Sequence, residues 1–332
     1  MPRLATRLTQ RFGIAHPILS APMAVAGGGA LAAAVSQAGG LGLIGGGYGD
    51  GDWLAAQFQA AGNIRIGCGF ITWSLARQPH LLAEVLAREP AALMLSFGDP
   101  APFATEITDA DVPLIAQCQS LDHVRRALDV GAAVIVAQGG EAGGHGHRRG
   151  TFAFVPEVAD LLVRTGPDTL LLAAGGIADG RGLAASLMLG ADGVLVGTRF
   201  WASREALVHA RHHAAAVAAS GDETVRSSVP DIARGLDWPK PFDIRTSDNA
   251  FLRRWLGREE AFKAAIAEEG PAYREAFAAG DPDNAAVIFG EAAGLVNDIL
   301  PAGEIVGRMV DEAVACLERG RGLIVRAYND GI

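Results

Sequence analysis

Residues 169–200 read TLLLAAGGIADGRGLAASLMLGADGVLVGTRF, and this stretch decides the fold class. Two near-continuous apolar runs, 169–174 and 193–196, have the composition of strands that are buried on both faces. Each run ends in a glycine turn, and the residues between them are numerous enough for a crossover helix. Strand, helix and parallel strand together form the repeating unit of α/β folds.

The same alternation extends from residue 18 to residue 200. Eight apolar runs are strand candidates, each followed by a connection long enough for a crossover: 18–20, 41–44, 65–70, 91–96, 112–117, 133–138, 169–174 and 193–196. We therefore predict an α/β protein with a parallel (β/α)8 (TIM) barrel. An open doubly wound sheet is the competing arrangement.

The pattern changes after residue 200. A helical stretch at 204–219 is predicted to be the eighth barrel helix, so residues 1–220 would form the barrel. Residues 221–300 would form a small, mainly helical cap that contacts the substrate over the barrel mouth. Residues 301–332 would form a C-terminal helix packed back on the barrel, because apolar residues recur at helical spacing: Ile305, Val306, Met309, Val310, Ala313, Val314 and Leu317.

Composition excludes several classes of function. The 332 residues include 28 Lys and Arg against 37 Asp and Glu, and the net charge of −9 argues against a nucleic-acid or anionic-membrane partner. Cys68, Cys118 and Cys316 are widely spaced and odd in number, so we expect a reducing cytoplasm and no disulfide scaffold. Residues 17–49 carry no charge, but Pro22 and groups of glycines interrupt them, so no membrane span is expected. We expect a soluble, cytoplasmic protein that keeps its N-terminus.

Glycine turns mark the expected ligand site. The active site of such a barrel lies at the carboxyl ends of its strands, where turns 174–180 and 197–199 follow strands seven and eight. Backbone N–H groups can approach an anion where no Cβ intrudes, and the Thr198 hydroxyl adds a donor, so we predict a phosphate cradle. Ordinary glycine helix caps are the alternative explanation.

His145 follows strand six in a loop that is almost all glycine. Such a loop lets the backbone run close to a flat ligand, and a histidine there can act as an acid or a base. A surface histidine is the alternative explanation.

Three further histidines lie at helical spacing, His209, His212 and His213. We expect them to face solvent and hold no metal, because apolar residues occupy the opposite face of the same helix: Leu207, Ala210, Ala214 and Val217.

Five segments together carry a resemblance to a known family: PILSAPM (17–23), AGGLG (38–42), AQGGEAGGH (137–145), AGGIADG (174–180) and GTRF (197–200). In register, they resemble the nitronate monooxygenase family, also called 2-nitropropane dioxygenase. The resemblance spans nearly the whole chain, including residues 290–294. The related FMN-dependent enoyl reductases carry a segment similar to 137–145.

The resemblance implies FMN lying across the strand ends. The isoalloxazine ring would be faced by Ala21, Pro22 and Met23. The ring or the ribityl chain would be hydrogen-bonded by Gln117 and Gln138. The phosphate would meet Gly143, Gly144, Gly175, Gly176, Gly197 and Thr198. The resemblance makes His145 the catalytic histidine near flavin N5.

Two positions depart from the family pattern. Gly67-Cys68-Gly69 stands where members usually place an Asn near the end of strand three, which removes an expected flavin contact. Glu291 stands where members often have Gln, and its carboxylate would repel an anionic nitronate. Five cap residues are plausible pocket residues, with packing of the cap as the alternative: Arg226, Trp238, Arg245, Asn249 and Trp255.

The activity implied by the resemblance is FMN-dependent oxidative denitrification of alkyl nitronates such as propionate 3-nitronate. The reaction would use O2 and give a carbonyl compound and nitrite, with a homodimer as a possible assembly. An FMN-dependent NAD(P)H reductase of enones, quinones or enoyl thioesters is the first alternative. A non-redox, phosphate-binding barrel is the second.

Overall fold

The structure, a computed structural model, describes residues 3–324. Within them eight parallel strands form one sheet, in the order β1-β9-β8-β6-β5-β4-β3-β2. The strands are β1 (Ile18–Ser20), β2 (Leu43–Gly45), β3 (Gly67–Ile71), β4 (Leu93–Ser96), β5 (Leu114–Cys118), β6 (Val134–Gln138), β8 (Leu170–Ala174) and β9 (Gly193–Val196). A parallel bridge between Leu19 and Leu41 joins β1 to the segment before β2 and closes the barrel. The predicted (β/α)8 barrel is therefore confirmed.

Helices surround this sheet: α2 (Gly29–Gln37), α3 (Gly51–Ala61), α4 (Thr72–Leu75), α5 (His80–Leu86), α6 (Ala101–Asp109), α7 (Leu121–Asp129), α8 (Thr151–Thr165), α9 (Gly180–Met188), α10 (Thr198–Trp201) and α11 (Ala210–Ala218). A continuous apolar layer separates them from the strands, and it includes Ile44, Leu95 and Ile135 from the sheet. Burial on both faces explains why the strands are apolar throughout.

The barrel interior is filled by side chains. Leu19, Met94 and Ile115 belong to the inner cluster, together with Leu8 and Phe12 of the preceding helix α1 (Arg7–Phe12). A filled interior leaves the strand ends as the place for a ligand, which is where such barrels bind their substrates.

The region after the barrel contains three helices, α12 (Val229–Arg234), α13 (Ala250–Trp255) and α14 (Glu259–Ala278), and two 3₁₀ segments, Gly221–Glu223 and Glu291–Leu295, within residues 3–324. It also contains a two-stranded ribbon, β10 (Thr224–Ser227) and β11 (Asp243–Ser247). Strand β11 pairs on its other side with β7 (Gly144–Gly146), in the loop after β6. The sequence did not predict this three-stranded sheet, which connects residues 221–300 to the loop that carries His145.

The last helix, α15 (Ala302–Gly322), packs against α9 and α2. It buries the predicted stripe at Ile305, Val306, Met309, Val310 and Ala313. Residues 325–332 of the predicted C-terminal segment lie outside the described residues. Across residues 3–324, no helix combines the length and the apolar character that crossing a bilayer requires.

Candidate active site

A cavity of about 410 Å³ lies at the carboxyl ends of the barrel strands, beneath residues of the region 221–300. Its wall contains every residue predicted for the site: Ala21, Pro22, Met23, Gln117, Gln138, Gly143, Gly144, His145, Gly175, Gly176, Gly197 and Thr198. The structure therefore brings the whole predicted set to one place. Their roles toward a ligand stay predictions.

One wall of the cavity is bare backbone. Gly144, Gly175 and Gly176 have φ values of +71°, +98° and +75°, a region that favours glycine. A Cβ at Gly144 would meet no atom within 4 Å, and one at Gly197 would meet only Ala21, at 3.8 Å. The space that these side chains would fill is therefore available to a ligand. Such a wall of exposed peptide groups suits a phosphate.

The glycine loop after β6 is held from outside the cavity by Arg226 of β10. Its guanidinium donates to the carbonyl oxygens of Gly140, Ala142 and Gly144 at 2.8–3.0 Å. Burial lowers the pKa of Arg226 to about 10. Arg245 of β11 adds a bond to Gly140, at 3.0 Å. Two arginines proposed as pocket residues thus shape the loop instead of lining the cavity.

The other proposed pocket residues divide in the same way. Trp238 lines the cavity. Asn249 instead caps α13, accepting a bond from the backbone of Leu252. Trp255 stacks on Phe262 inside the region 221–300, with ring centroids 4.8 Å apart. For Asn249 and Trp255 the packing alternative is correct.

His145 is the central residue of β7 and is paired with Ile244 of β11. Its backbone carbonyl accepts a bond from Gln138 Nε2 at 3.1 Å, which ties the loop to the end of β6. The residue is 8% exposed and lines the cavity. The surface alternative is therefore wrong.

A buried carboxylate, Asp231 of α12, holds the imidazole. His145 Nε2 lies 2.9 and 3.1 Å from its two oxygens. Arg234 Nη2 donates to the same carboxylate at 2.6 Å. Burial lowers the pKa of His145 to about 4, against the opposing effect of Asp231, so the free site carries a neutral imidazole at pH 7.

Aromatic rings cover this histidine. Trp238 stacks on its ring with an interplanar angle of 9°, and Phe97 contacts both rings edge-on. Trp238 Nε1 donates to Tyr48 Oη at 3.1 Å, and burial raises the pKa of Tyr48. The side of the cavity near His145 is therefore lined largely by aromatic rings, with Arg234 beside them.

Both departures from the family pattern leave the cavity without a new polar group. Cys68 is fully buried in the layer between strands and helices, which raises the pKa of its thiol to about 12. A Cβ at Gly69 would lie 2.4 Å from Pro22 Cγ, so no side chain fits there. Glu291 forms a 2.9 Å ion pair with Arg245, which balances its negative charge. The Glu291 side chain does not line the cavity.

The expectation that His209, His212 and His213 all face solvent, opposite a buried apolar face, is wrong. His212 is buried, at 5% exposure, whereas Leu207 is 53% exposed. Helix α11 turns its His212 and Ala216 face toward the segment at Glu291–Leu295, which the helical pattern alone did not reveal. Within residues 3–324, no three metal-ligating side chains of His, Cys, Asp or Glu come together.

Sequence reasoning missed Asp231, Arg234 and Tyr48. Asp231 and Arg234 lie on one short helix, three residues apart, and nothing in their spacing indicates a link to His145, 86 residues earlier. Pairing of β7 with β11 creates that link. No signal in a single sequence would have found it.

A barrel with a glycine-walled cavity at its strand ends, and a buried histidine facing it, defines an enzyme active site. The family model for nitronate monooxygenase matches residues 5–66 and 74–312. A nitronate monooxygenase of Metarhizium robertsii is 36% identical, with 90% of this chain and 91% of that protein covered. One of Neurospora crassa is 32% identical, with coverage of 89% and 88%. The chain belongs to the nitronate monooxygenase family and is an oxidoreductase.

A solved structure agrees in fold. FabK from Thermotoga maritima superposes with a TM-score of 0.85 at 31% identity, covering 97% of this chain and 100% of that chain.

Proposed function

We propose that the protein is an FMN-dependent enzyme that oxidises alkyl nitronates, such as propionate 3-nitronate, with O2 to a carbonyl compound and nitrite. One observation carries the proposal: a bare-backbone wall and a buried imidazole face the same cavity at the strand ends. Membership in the nitronate monooxygenase family supports the reaction class.

The residues present fit FMN. Gly144 and Gly197 leave space beside the backbone for the phosphate, and Gly175, Gly176 and the hydroxyl of Thr198 lie at the same wall. Ala21, Pro22 and Met23 offer an apolar surface to the ring. Gln117 has an amide at the cavity, whereas the amide of Gln138 is already bonded to Gln117, Gln119 and the backbone of His145. FMN would supply the electron transfer.

The chain supplies binding, orientation and exclusion of water. The apolar wall of Phe97 and Trp238 suits the alkyl part of a substrate. A neutral His145 does not repel a cation or attract an anion strongly, but it can take a proton. We propose residues 221–300 as the substrate cap, because they bring Asp231 and Trp238 to this histidine.

Steady-state assays test the proposal. With FMN and propionate 3-nitronate, we expect O2 uptake and nitrite release without NADH or NADPH. With 2-nitropropane, which must first lose a proton, His145→Ala should keep bound FMN and lose most turnover. His80→Ala, an exposed histidine at the start of α5, is the matched control and should retain activity.

Two outcomes would favour other functions. Turnover of an enone or quinone that requires NAD(P)H would indicate the reductase. A colourless protein that does not take up added FMN would indicate a non-redox barrel. The homodimer stays a prediction, which sedimentation of the purified protein tests.

A further inference from the structure

The carboxylate of Asp231 is placed to act through His145. It is 2% exposed and bridges His145 Nε2 and Arg234 Nη2. Arg234, a permanent cation, donates to this carboxylate and balances its charge. The Asp231–Arg234 pair therefore brings no net charge to the site.

This contact fixes the tautomer of the imidazole. An ionised carboxylate only accepts hydrogen bonds, so the Nε2 atom beside it must carry the hydrogen. In the neutral ring Nδ1 then has a free lone pair. Among residues 3–324, no hydrogen bond engages Nδ1, and the residue borders the cavity.

We infer that Asp231 is a positioning residue: by accepting a hydrogen bond from Nε2, it holds His145 in the tautomer that leaves Nδ1 free to accept a proton from the substrate. This inference rests on the proposed function. In the step that it adds, the C–H bond next to the nitro group breaks and its electron pair stays on the substrate as the nitronate. The proton bonds to Nδ1, and Asp231 faces the imidazolium so formed. No electron leaves the substrate in this step.

Two substrates distinguish a positioning role of Asp231 from a purely structural role. 2-Nitropropane must lose a proton before oxidation, whereas propan-2-nitronate has already lost it. Since positioned general bases contribute about 100-fold or more, Asp231→Asn should lower kcat/KM for 2-nitropropane by about 100-fold. For the nitronate the loss should stay below roughly threefold.

The matched control is Asp248→Asn, which removes a carboxylate from an exposed ion pair with Arg253 in the same region. Both rates should stay within roughly twofold of the parent protein. Equal losses for both substrates in Asp231→Asn would overturn the inference while leaving the proposed function standing. No oxidation of the nitronate by the parent protein would instead contradict the proposed function.

The pH profile gives a second readout. The charged groups near the His145 ring are Asp231, Arg234 and Arg226. Protonation of His145 removes the base, so the rate with 2-nitropropane falls on the acid side. Asp231 favours the imidazolium, and its replacement by Asn should move that limb to lower pH. If Asp231→Asn lowers the rate equally at every pH and leaves the acid limb at the same pH, the result would contradict the inference.

A third measurement needs no Asp231 variant, so it applies even if Asp231→Asn does not fold. Correlation spectra of ¹⁵N-labelled protein at pH 7 show which ring nitrogen bears hydrogen, and the signal missing in His145→Gln identifies the residue. We expect the hydrogen on Nε2. A hydrogen on Nδ1 would refute the proposed geometry.

Discussion

Replacing Arg226 by Met tests how the glycine loop is held. Methionine fills the space of the aliphatic stem but cannot donate to the carbonyls of Gly140, Ala142 and Gly144. The loop has few side chains to stabilise it, so these bonds should account for much of its order. The fold should survive, because removing a buried cation also removes its desolvation cost.

The magnitude follows from the number of bonds. A hydrogen bond contributes about 1 kcal/mol net, so the three loop carbonyls together account for about 3 kcal/mol. If the flavin must restore that order on binding, its dissociation constant rises about 100-fold, at 1.4 kcal/mol for each factor of ten.

Titration of the apoprotein with FMN, followed by flavin fluorescence, measures this constant. Hydrogen exchange of the amides of residues 140–146 measures the loop without any flavin, and it should be faster in Arg226→Met. Arg253→Met, at an exposed arginine bonded to Asp248, is the control and should change neither. A dissociation constant within roughly threefold of the parent, with unchanged exchange, would refute this account of the loop.

Three further predictions concern packing and reactivity. Gly143→Ala places a Cβ 2.5 Å from the backbone nitrogen of Gly290, so flavin affinity and melting temperature should both fall. Gly320→Ala, in α15 with nothing within 4 Å of the new Cβ, should raise the free energy of unfolding by about 0.5–1 kcal/mol in chemical denaturation. Iodoacetamide at pH 8 should modify Cys316 in the folded protein and spare Cys68 and Cys118, whose thiols are buried with raised pKa values; rapid labelling of either buried thiol before unfolding would contradict this.

The barrel strands were predictable because each is buried on both faces. The run predicted at 133–138, for example, contains strand β6 (Val134–Gln138), and the boundaries of the other strands differ from the predicted runs by about two residues or fewer. The glycine turns were predictable for a related reason. A positive φ, as at Gly175 and Gly176, favours glycine, so the local sequence indicates such a turn without any information from distant residues.

The contacts that complete the site were not predictable. Strand β7 is only Gly144–Gly146, too short and too rich in glycine to be recognised, and its partner β11 lies in a region without a repeat. Asp231 reaches His145 only because that pairing forms. The prediction for α11 was wrong for the same reason, because residues far along the chain decide which face of a short helix is buried.

The most direct test is anaerobic mixing of the purified, FMN-loaded protein with propionate 3-nitronate while the visible flavin band is recorded. We expect the band to bleach with the nitronate, to return when air is admitted, and to persist with NADH or NADPH alone. Fast bleaching by a reduced nicotinamide with none by the nitronate would contradict the account.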